Sequence, residues 1–391
     1  MKTITYYFLQ VVFILTIPGN IFAQPQKPIH QQQSEYFASI GQNFSEADWD
    51  RYHGYTSSGP LKKVHKGDKS LNKIVFGWQP YWTGTSYNEY DFSLLTDLAY
   101  FSYELDAATG NYLSIHGWNT SPVIDAAKAA GVRVSLTVTL FSNHSTFLSN
   151  TTSQTTLINN LVSLINSRGA HGVNIDFEGV PGTQKAALTA FMQNLCNRMH
   201  AEVPGSLVSV ALPAVEWSDV WDEMALKDHV DVFLVMGYDY WWKGSSTAGP
   251  VAPKNTGVTW STFKYNVTKS LYSYLSKGLP KSKLCLAVPY YGIEWQTTDS
   301  LLNCPVISST SGVSKLYKDA VSLASQKGRQ WNRDASVPYI IYKSTNWQQC
   351  FYDDATSLAY KYDLVNTLDI AGIGIWALGY EIGRASCRER V

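Results

Sequence analysis

Residues 171–178 read His171-Gly172-Val173-Asn174-Ile175-Asp176-Phe177-Glu178, and the fold is decided by how this stretch alternates. A strand period of two sends Val173, Ile175 and Phe177 to one face and Asn174, Asp176 and Glu178 to the other. The apolar face can pack on helices, which leaves the polar face directed into the interior. Three polar groups on a core-facing strand are costly unless they perform chemistry or satisfy one another in a buried network.

Working outward, the same alternation of elements recurs on both sides. Thr155–Arg168 places Leu157, Ile158, Leu161, Leu164 and Ile165 on one helical face before Gly169. Thr183–His200 does so with Leu188, Phe191, Met192, Leu195 and Met199, and Pro204-Gly205 stops it. Short β-branched or aromatic runs predict strands at Ile74–Trp78, Leu98–Tyr103, Val132–Leu140, Gly172–Glu178, Leu207–Leu212, Val232–Tyr238, Leu284–Tyr290 and Ile373–Ala377. Strands alternating with helices over about 300 residues predict an α/β protein, a closed TIM (β/α)8 barrel. No Gly-x-Gly-x-x-Gly follows the first strand, which argues against a dinucleotide-binding sheet. The last two strands lie too far apart for one helix, so a small insertion is expected at about Gln296 to Gln349.

The ends of the chain read differently. Lys2, the apolar run Tyr6 to Ile17 and the close at Ile21-Phe22-Ala23 predict a secretory signal over 1–23, cut after Ala23. Residues 24–72 are polar, with a Gln31–Gln33 run, and read as a linker or loosely packed lead-in. Residues 73–381 form the predicted barrel. Ile382-Gly383-Arg384-Ala385-Ser386-Cys387-Arg388-Glu389-Arg390-Val391 matches the translation of a common short-read sequencing adapter. It is set aside from the fold, and the helix after the last strand is then missing.

Composition narrows the function. Apolar residues make up 45% and charged residues 16%, and Lys plus Arg (31) balances Asp plus Glu (31). Without the signal and the tail, 27 positive and 30 negative charges remain. No basic stripe exists, so a nucleic-acid partner is not expected. The 13 Trp and 25 Tyr suit a core or a groove that stacks on sugar rings. Cys196, Cys285, Cys304 and Cys350 have no metal-ligand spacing, so no metal or cofactor is expected. Cys196 and Cys285 are read as buried thiols. Cys304 and Cys350 bracket the insertion and are expected to pair as a disulfide. The lone histidines, His171 included, are read as structural.

Further motifs stand at the other strand ends: Met236-Gly237-Tyr238-Asp239 on the sixth, Val288-Pro289-Tyr290-Tyr291-Gly292 on the seventh and Gly374-Ile375-Trp376 on the eighth. With Gly172, Asp176 and Glu178, these make the sequence similar to glycoside hydrolase family 18, which includes chitinases and β-N-acetylglucosaminidases. His171 and Asn174 replace two earlier acidic residues of the family signature. The Asn174 form and the closing Trp376-Ala377-Leu378-Gly379-Tyr380 resemble the branch with spore-cortex glucosaminidases.

The resemblance implies roles. Glu178 would protonate the glycosidic oxygen, and the substrate's own 2-acetamido oxygen would attack, the exception to the two-carboxylate scheme. Asp176 would orient that group and Tyr238 would hydrogen-bond to it. Trp376 would floor the sugar site, with Asp239 and Met236 in support. Asn174, Tyr291, Trp78 and Tyr81 join them as candidate substrate-binding residues, and Asn174 could hydrogen-bond Asp176. Trp82, Trp217, Trp241 and Trp242 are further aromatics near strand ends. Burial and the neighbouring Asp176 should raise the pKa of Glu178.

The expected protein is a secreted monomer acting on an N-acetylglucosamine-containing glycan: chitin, peptidoglycan or an N-glycan core. The competing reading is a non-catalytic, lectin-like barrel. Residues 382–391 have no apolar helical face with which to cover the seam between the last and first strands. The native chain is therefore predicted to continue past Glu381 with an amphipathic helix of about 10 to 15 residues. Sequencing the source gene across this junction checks it, and recovery of the same ten codons before a native stop refutes it.

Overall fold

The computed structural model describes residues 27–41, 43–55 and 71–381. The expected signal 1–23, and the tail 382–391 with Cys387, lie outside the described residues. Two helices come first, α1 (Ile29–Gly41) and α2 (Glu46–His53). There follow β1 (Ile74–Pro80), β2 (Asp97–Leu105), β3 (Tyr112–Ser114), α3 (Pro122–Ala129), β4 (Arg133–Leu140), α4 (His144–Leu148) and α5 (Thr151–Arg168). The middle of the chain forms β5 (Gly172–Phe177), α6 (Lys185–Glu202), β6 (Leu207–Pro213), α7 (Glu223–Leu226), β7 (Val232–Met236), α8 (Val267–Ser276) and β8 (Leu284–Pro289). Then come β9 (Tyr291–Thr297), β10 (Val313–Leu316), α9 (Tyr317–Lys327), β11 (Gln330–Asn332), β12 (Val337–Lys343), β13 (Trp347–Phe351), α10 (Ala355–Leu368) and β14 (Gly372–Trp376).

Eight of these strands close a parallel barrel in the order β1-β14-β8-β7-β6-β5-β4-β2, and a β1–β2 pairing completes the ring. All eight predicted strands are present. Two glycines permit the ring to close tightly. A Cβ at Gly172 would lie 1.9 Å from the Leu207 carbonyl oxygen, and one at Gly372 would lie 2.0 Å from that of Ile74. The alternation of β5 is as read: Phe177 faces outward and stacks on Phe191 of α6, ring centroids 5.8 Å apart. Asn174 and Asp176 are fully buried in the barrel. Helix α5 starts where the Asn150 side chain accepts from the amides of Thr152 and Ser153, and ends on Gly169 at φ 55°.

The insertion is a five-stranded antiparallel sheet, β10-β9-β13-β12-β11, with α9 packed against it. It runs from Tyr291 to Phe351, so it begins directly after β8, earlier than expected. The expected Cys304–Cys350 disulfide is absent: both are free thiols, as are Cys196 and Cys285. Cys350 points from β13 into a small apolar core with Ala320, Ala324 and Ile340. Cys304 instead sits in a turn, where its sulfur receives the Asp299 amide at 3.3 Å.

The lead-in also departs from expectation. Part of the segment read as a linker is folded onto the carboxyl-terminal mouth of the barrel. Phe37 of α1 stacks on Trp82 at 4.9 Å. In α2, the Asp50 carboxylate accepts from the amide and hydroxyl of Thr85 at 2.8 and 2.7 Å. Polarity concealed the packing, because half of the buried face of α1 is His30, Gln33 and Ser34. Among the described residues no helix is long and apolar enough to cross a membrane.

One buried ion pair ties α10 to the short segment that leads into it from the insertion. The Lys361 ammonium donates to Asp353, and both side chains are inaccessible. Burial raises the Asp353 carboxyl pKa and Lys361 opposes that rise. Lys361→Met would strand a buried acid without its cation and is expected to cost about 3 to 5 kcal/mol. Urea denaturation measures this, and a loss below ~1 kcal/mol would show that the pair is not a structural tie.

Candidate active site

The candidate residues stand at the carboxyl ends of the strands, where the barrel opens. Asp176 is the penultimate residue of β5 and Glu178 follows its end. The Glu178 amide donates to the Leu140 carbonyl at 3.2 Å, which continues the β4–β5 ladder and fixes the carboxyl over the mouth. Tyr238 and Asp239 follow β7, Tyr291 opens β9 and Trp376 ends β14. Asp239 takes a left-handed conformation at φ 57°, and its carboxylate accepts a short hydrogen bond from the Tyr291 hydroxyl. Asn174 lies deeper. Its Oδ1 accepts from Trp78 Nε1 at 2.8 Å and its Nδ2 donates to Ser209 at 2.9 Å. These contacts replace the hydrogen bond to Asp176 that Asn174 could have made.

The electrostatics follow from crowding carboxylates in a dry space. Burial holds Glu178 well above the usual carboxylate range, and Asp176 and Asp239 push it further. Both effects favour the protonated form of Glu178. Burial lifts Asp239 to about 6, against the hydrogen bond from Tyr291. Tyr238 is raised by burial and by the same carboxylates, so its hydroxyl stays protonated.

Sequence reasoning missed two residues at the centre of this site, His30 and Gln33 of α1. The His30 ring lies 3.6 Å from Trp376, inclined by 28°. Its Nδ1 is 2.7 Å from Asp176 Oδ2, and its Nε2 is 2.8 Å from the Tyr238 hydroxyl. Gln33 Oε1 accepts from Trp376 Nε1 and from the Tyr380 hydroxyl, each at 2.8 Å. His30 was read with the other lone histidines as structural, and its contacts place it among the candidate site residues. His171 is structural: its Nδ1 accepts from the Val134 amide at 3.0 Å. The available signal was the i, i+4, i+8 series Ile29, Gln33 and Phe37, obscured because its middle member is polar.

Other candidates stand around or beyond the cluster, with Trp78 and Trp82 flanking Trp376 at 6.1 and 6.4 Å. Tyr81 stacks on His116 at 3.5 Å and borders Trp49, away from the carboxylates. Trp78 is completely buried as a donor to Asn174, and Met236 is packed in the core. Trp82 lies under Phe37, while Trp241 packs on Phe263 at 4.2 Å. Trp217, by contrast, is 75% exposed beside Tyr265. His30, Asp176 and Glu178 bring three donor atoms within 4.8 Å of one another, the only such metal-capable group among the described residues. The 2.7 Å separation of His30 and Asp176 is that of a charge-assisted hydrogen bond, and we assign it as one.

The family described as glycosyl hydrolases family 18 matches residues 78–381. The chain belongs to that family. The cortical fragment-lytic enzyme of Bacillus anthracis is 24% identical over 302 residues, covering 73% of this chain and 65% of that protein. The di-N-acetylchitobiase of Mus musculus is 26% identical over 240 residues, covering 55% of this chain and 62% of that protein. A solved family 18 N-acetylglucosaminidase from Paenibacillus barengoltzii superposes with a TM-score of 0.71 at 18% identity, over 80% of this chain and 96% of that one. The chain thus spans less than two thirds of the length of these two sequence relatives.

In this family 18 barrel, the Tyr291–Asp239 bond is the contact that most directly sets a site charge. A hydrogen bond to the ionised form lowers a carboxyl pKa. Tyr291→Phe should therefore move Asp239 upward from about 6. Carbon-detected NMR titration of the side-chain carboxyls checks the direction, and an unchanged or lower value would contradict it.

Proposed function

We propose that this chain is a secreted, retaining glycosidase that cleaves β-1,4-linked N-acetylglucosamine-containing glycans of chitin or peptidoglycan type by substrate-assisted catalysis. The observation that carries this reading is the convergence of Asp176, Tyr238 and Trp376 on one ring-sized position, with Glu178 beside it. The signal read over 1–23 supports secretion. The names of the relatives, a cortical fragment-lytic enzyme and a di-N-acetylchitobiase, support the substrate class.

The chemistry follows from the side chains. A pyranose resting on Trp376 directs its 2-acetamido group between Asp176 and Tyr238. The Tyr238 hydroxyl donates to the acetamide oxygen and Asp176 accepts from its N–H. Asp176 Oδ1 and Glu178 Oε1 are buried without hydrogen-bond partners among the described residues, so both retain capacity for substrate. Glu178 gives its proton to the glycosidic oxygen as the C1–O bond breaks. The acetamide oxygen bonds to C1 from the opposite face, and the positive charge spreads onto nitrogen beside Asp176. Glu178, now ionised, takes a proton from water as that water adds to C1 and the acetamide bond reopens. Two inversions at C1 retain its configuration. The kept Glu178 disfavours the lectin-like reading.

Glu178→Gln keeps the shape of the site and removes the proton. Turnover of an N-acetylglucosamine oligomer is expected to fall about 10²- to 10⁴-fold, with oligomer binding preserved. A matched β-1,4-glucose oligomer lacks the internal nucleophile and should resist the unaltered protein. Mass spectrometry of the products checks both, and comparable cleavage of the glucose oligomer would refute the mechanism.

A further inference from the structure

The sugar position of the barrel is already filled by the chain itself. His30 meets three of the groups assigned above to the substrate: Trp376 by stacking, Asp176 through Nδ1 and Tyr238 through Nε2. With Nδ1 carrying the proton, the ring donates to Asp176 and accepts from the Tyr238 hydroxyl. Attack of an acetamide oxygen on C1 would close a five-membered ring whose N and O are separated by one carbon. Imidazole is likewise five-membered, with two heteroatoms separated by one carbon, and it meets the same two partners.

The helix that carries this ring is anchored well beyond it. Gln33 holds Trp376 and Tyr380, and Phe37 stacks on Trp82. In α2, Glu46 accepts from Tyr87 and Ser121 at 3.2 and 2.9 Å. The His53 ring bonds to the Trp82 carbonyl at 2.8 Å. The effect on access is complete at the floor: Trp376 and Asp176 have no solvent exposure. The Glu178 side chain keeps 11%. A surface groove of about 680 Å³, bordered by Lys73, Thr96 and Ala371, lies at the opposite end of the barrel.

We propose that the α1–α2 segment is a built-in competitive inhibitor of the glycan site, with His30 in the place of the cleaved sugar's acetamido group, so that the intact chain is latent until the segment leaves the mouth. This rests on the proposed function for the identity of the competing ligand. A chain whose open form is a small fraction of the population binds ligand more weakly by that fraction.

The test keeps the full chain and reads both binding and cleavage. A recognition sequence for a single-site protease is inserted after Gly59, and the chain is assayed before and after cutting, beside His30→Ala and Gln33→Ala in the uncut chain. Affinity for an N-acetylglucosamine oligomer, followed by tryptophan fluorescence, is expected to rise about tenfold or more on cutting and on His30→Ala. A synthetic peptide of residues 27–55 added to the cut chain should reverse the gain competitively, which also excludes a folding defect as its cause. Cleavage of the oligomer should rise in parallel. Increased affinity with no hydrolysis in any form would refute the glycosidase and leave the inhibitor standing. Equal affinity and equal hydrolysis in all forms would overturn the inhibitor and leave the glycosidase standing.

Discussion

Confinement of ionisable groups inside a closed barrel is the constraint on which the rest of this structure depends. A charge moved from water to the interior loses several kcal/mol of solvation unless something replaces the water. Each polar residue at the mouth meets this demand in its own way. Asn174 is neutral and divides its amide between Trp78 and Ser209. Asp239 takes the Tyr291 hydroxyl. Asp176 takes the imidazole of a helix more than a hundred residues away in sequence. Glu178 Oε1 has no hydrogen-bond partner among the described residues, with His30 Nδ1 3.5 Å away, and burial beside two other carboxylates pushes its pKa up. The acid is therefore defined by what its neighbours have already claimed.

That order of claims explains why so much of the barrel was legible in the sequence. Period-two alternation in residues 172–177 separates the helix-facing Phe177 from the interior Asp176, and the Phe177–Phe191 stack shows the apolar half at work. The strands that follow are β-branched runs with few plausible alternatives. Asp176 and Glu178 were read from the alternation of their strand, and Tyr238 and Trp376 from motifs resembling family 18. All four stand at or just past strand ends, and parallel strands in a ring bring their ends together whatever the loops do. Tyr81 failed for the same reason. It opens the 3₁₀ helix that follows β1, whose course strand periodicity does not govern, and its ring stacks on His116.

What stayed hidden required knowledge of a partner surface. The α1 stretch looks like a soluble linker because its buried residues include His30, Gln33 and Ser34, and apolar periodicity cannot detect a helix whose binding face is complementary to carboxylates and indole N–H groups. The capping box of α2, Ser45 with Asp48, was a local sign of helix in that segment, and Trp49 was a sign of burial. The Cys304–Cys350 pairing failed differently. Bracketing an insertion says nothing about the direction of the two Cβ vectors, and here one sulfur points into a core and the other into a turn.

The inhibitor and the catalyst are consequences of the same unsatisfied groups. On the proposed mechanism the site stabilises positive charge beside Asp176, and without substrate the same site holds a buried carboxylate in need of a donor. A ring delivered by the chain meets that need at an effective concentration of roughly millimolar or above, which a free sugar must match to compete. The arrangement of the segment also indicates where release begins. His30 lies in the first turn of α1, where backbone amides lack intrahelical partners and fraying is cheapest. The anchors at Asp50, Glu46 and His53 belong to α2. Unwinding the first turn of α1 would release Asp176 and Tyr238 while Gln33 and the α2 anchors still hold, so departure of the segment can begin without breaking the whole interface at once. The ring that fills the acetamido position is placed on the part of the helix that is easiest to move.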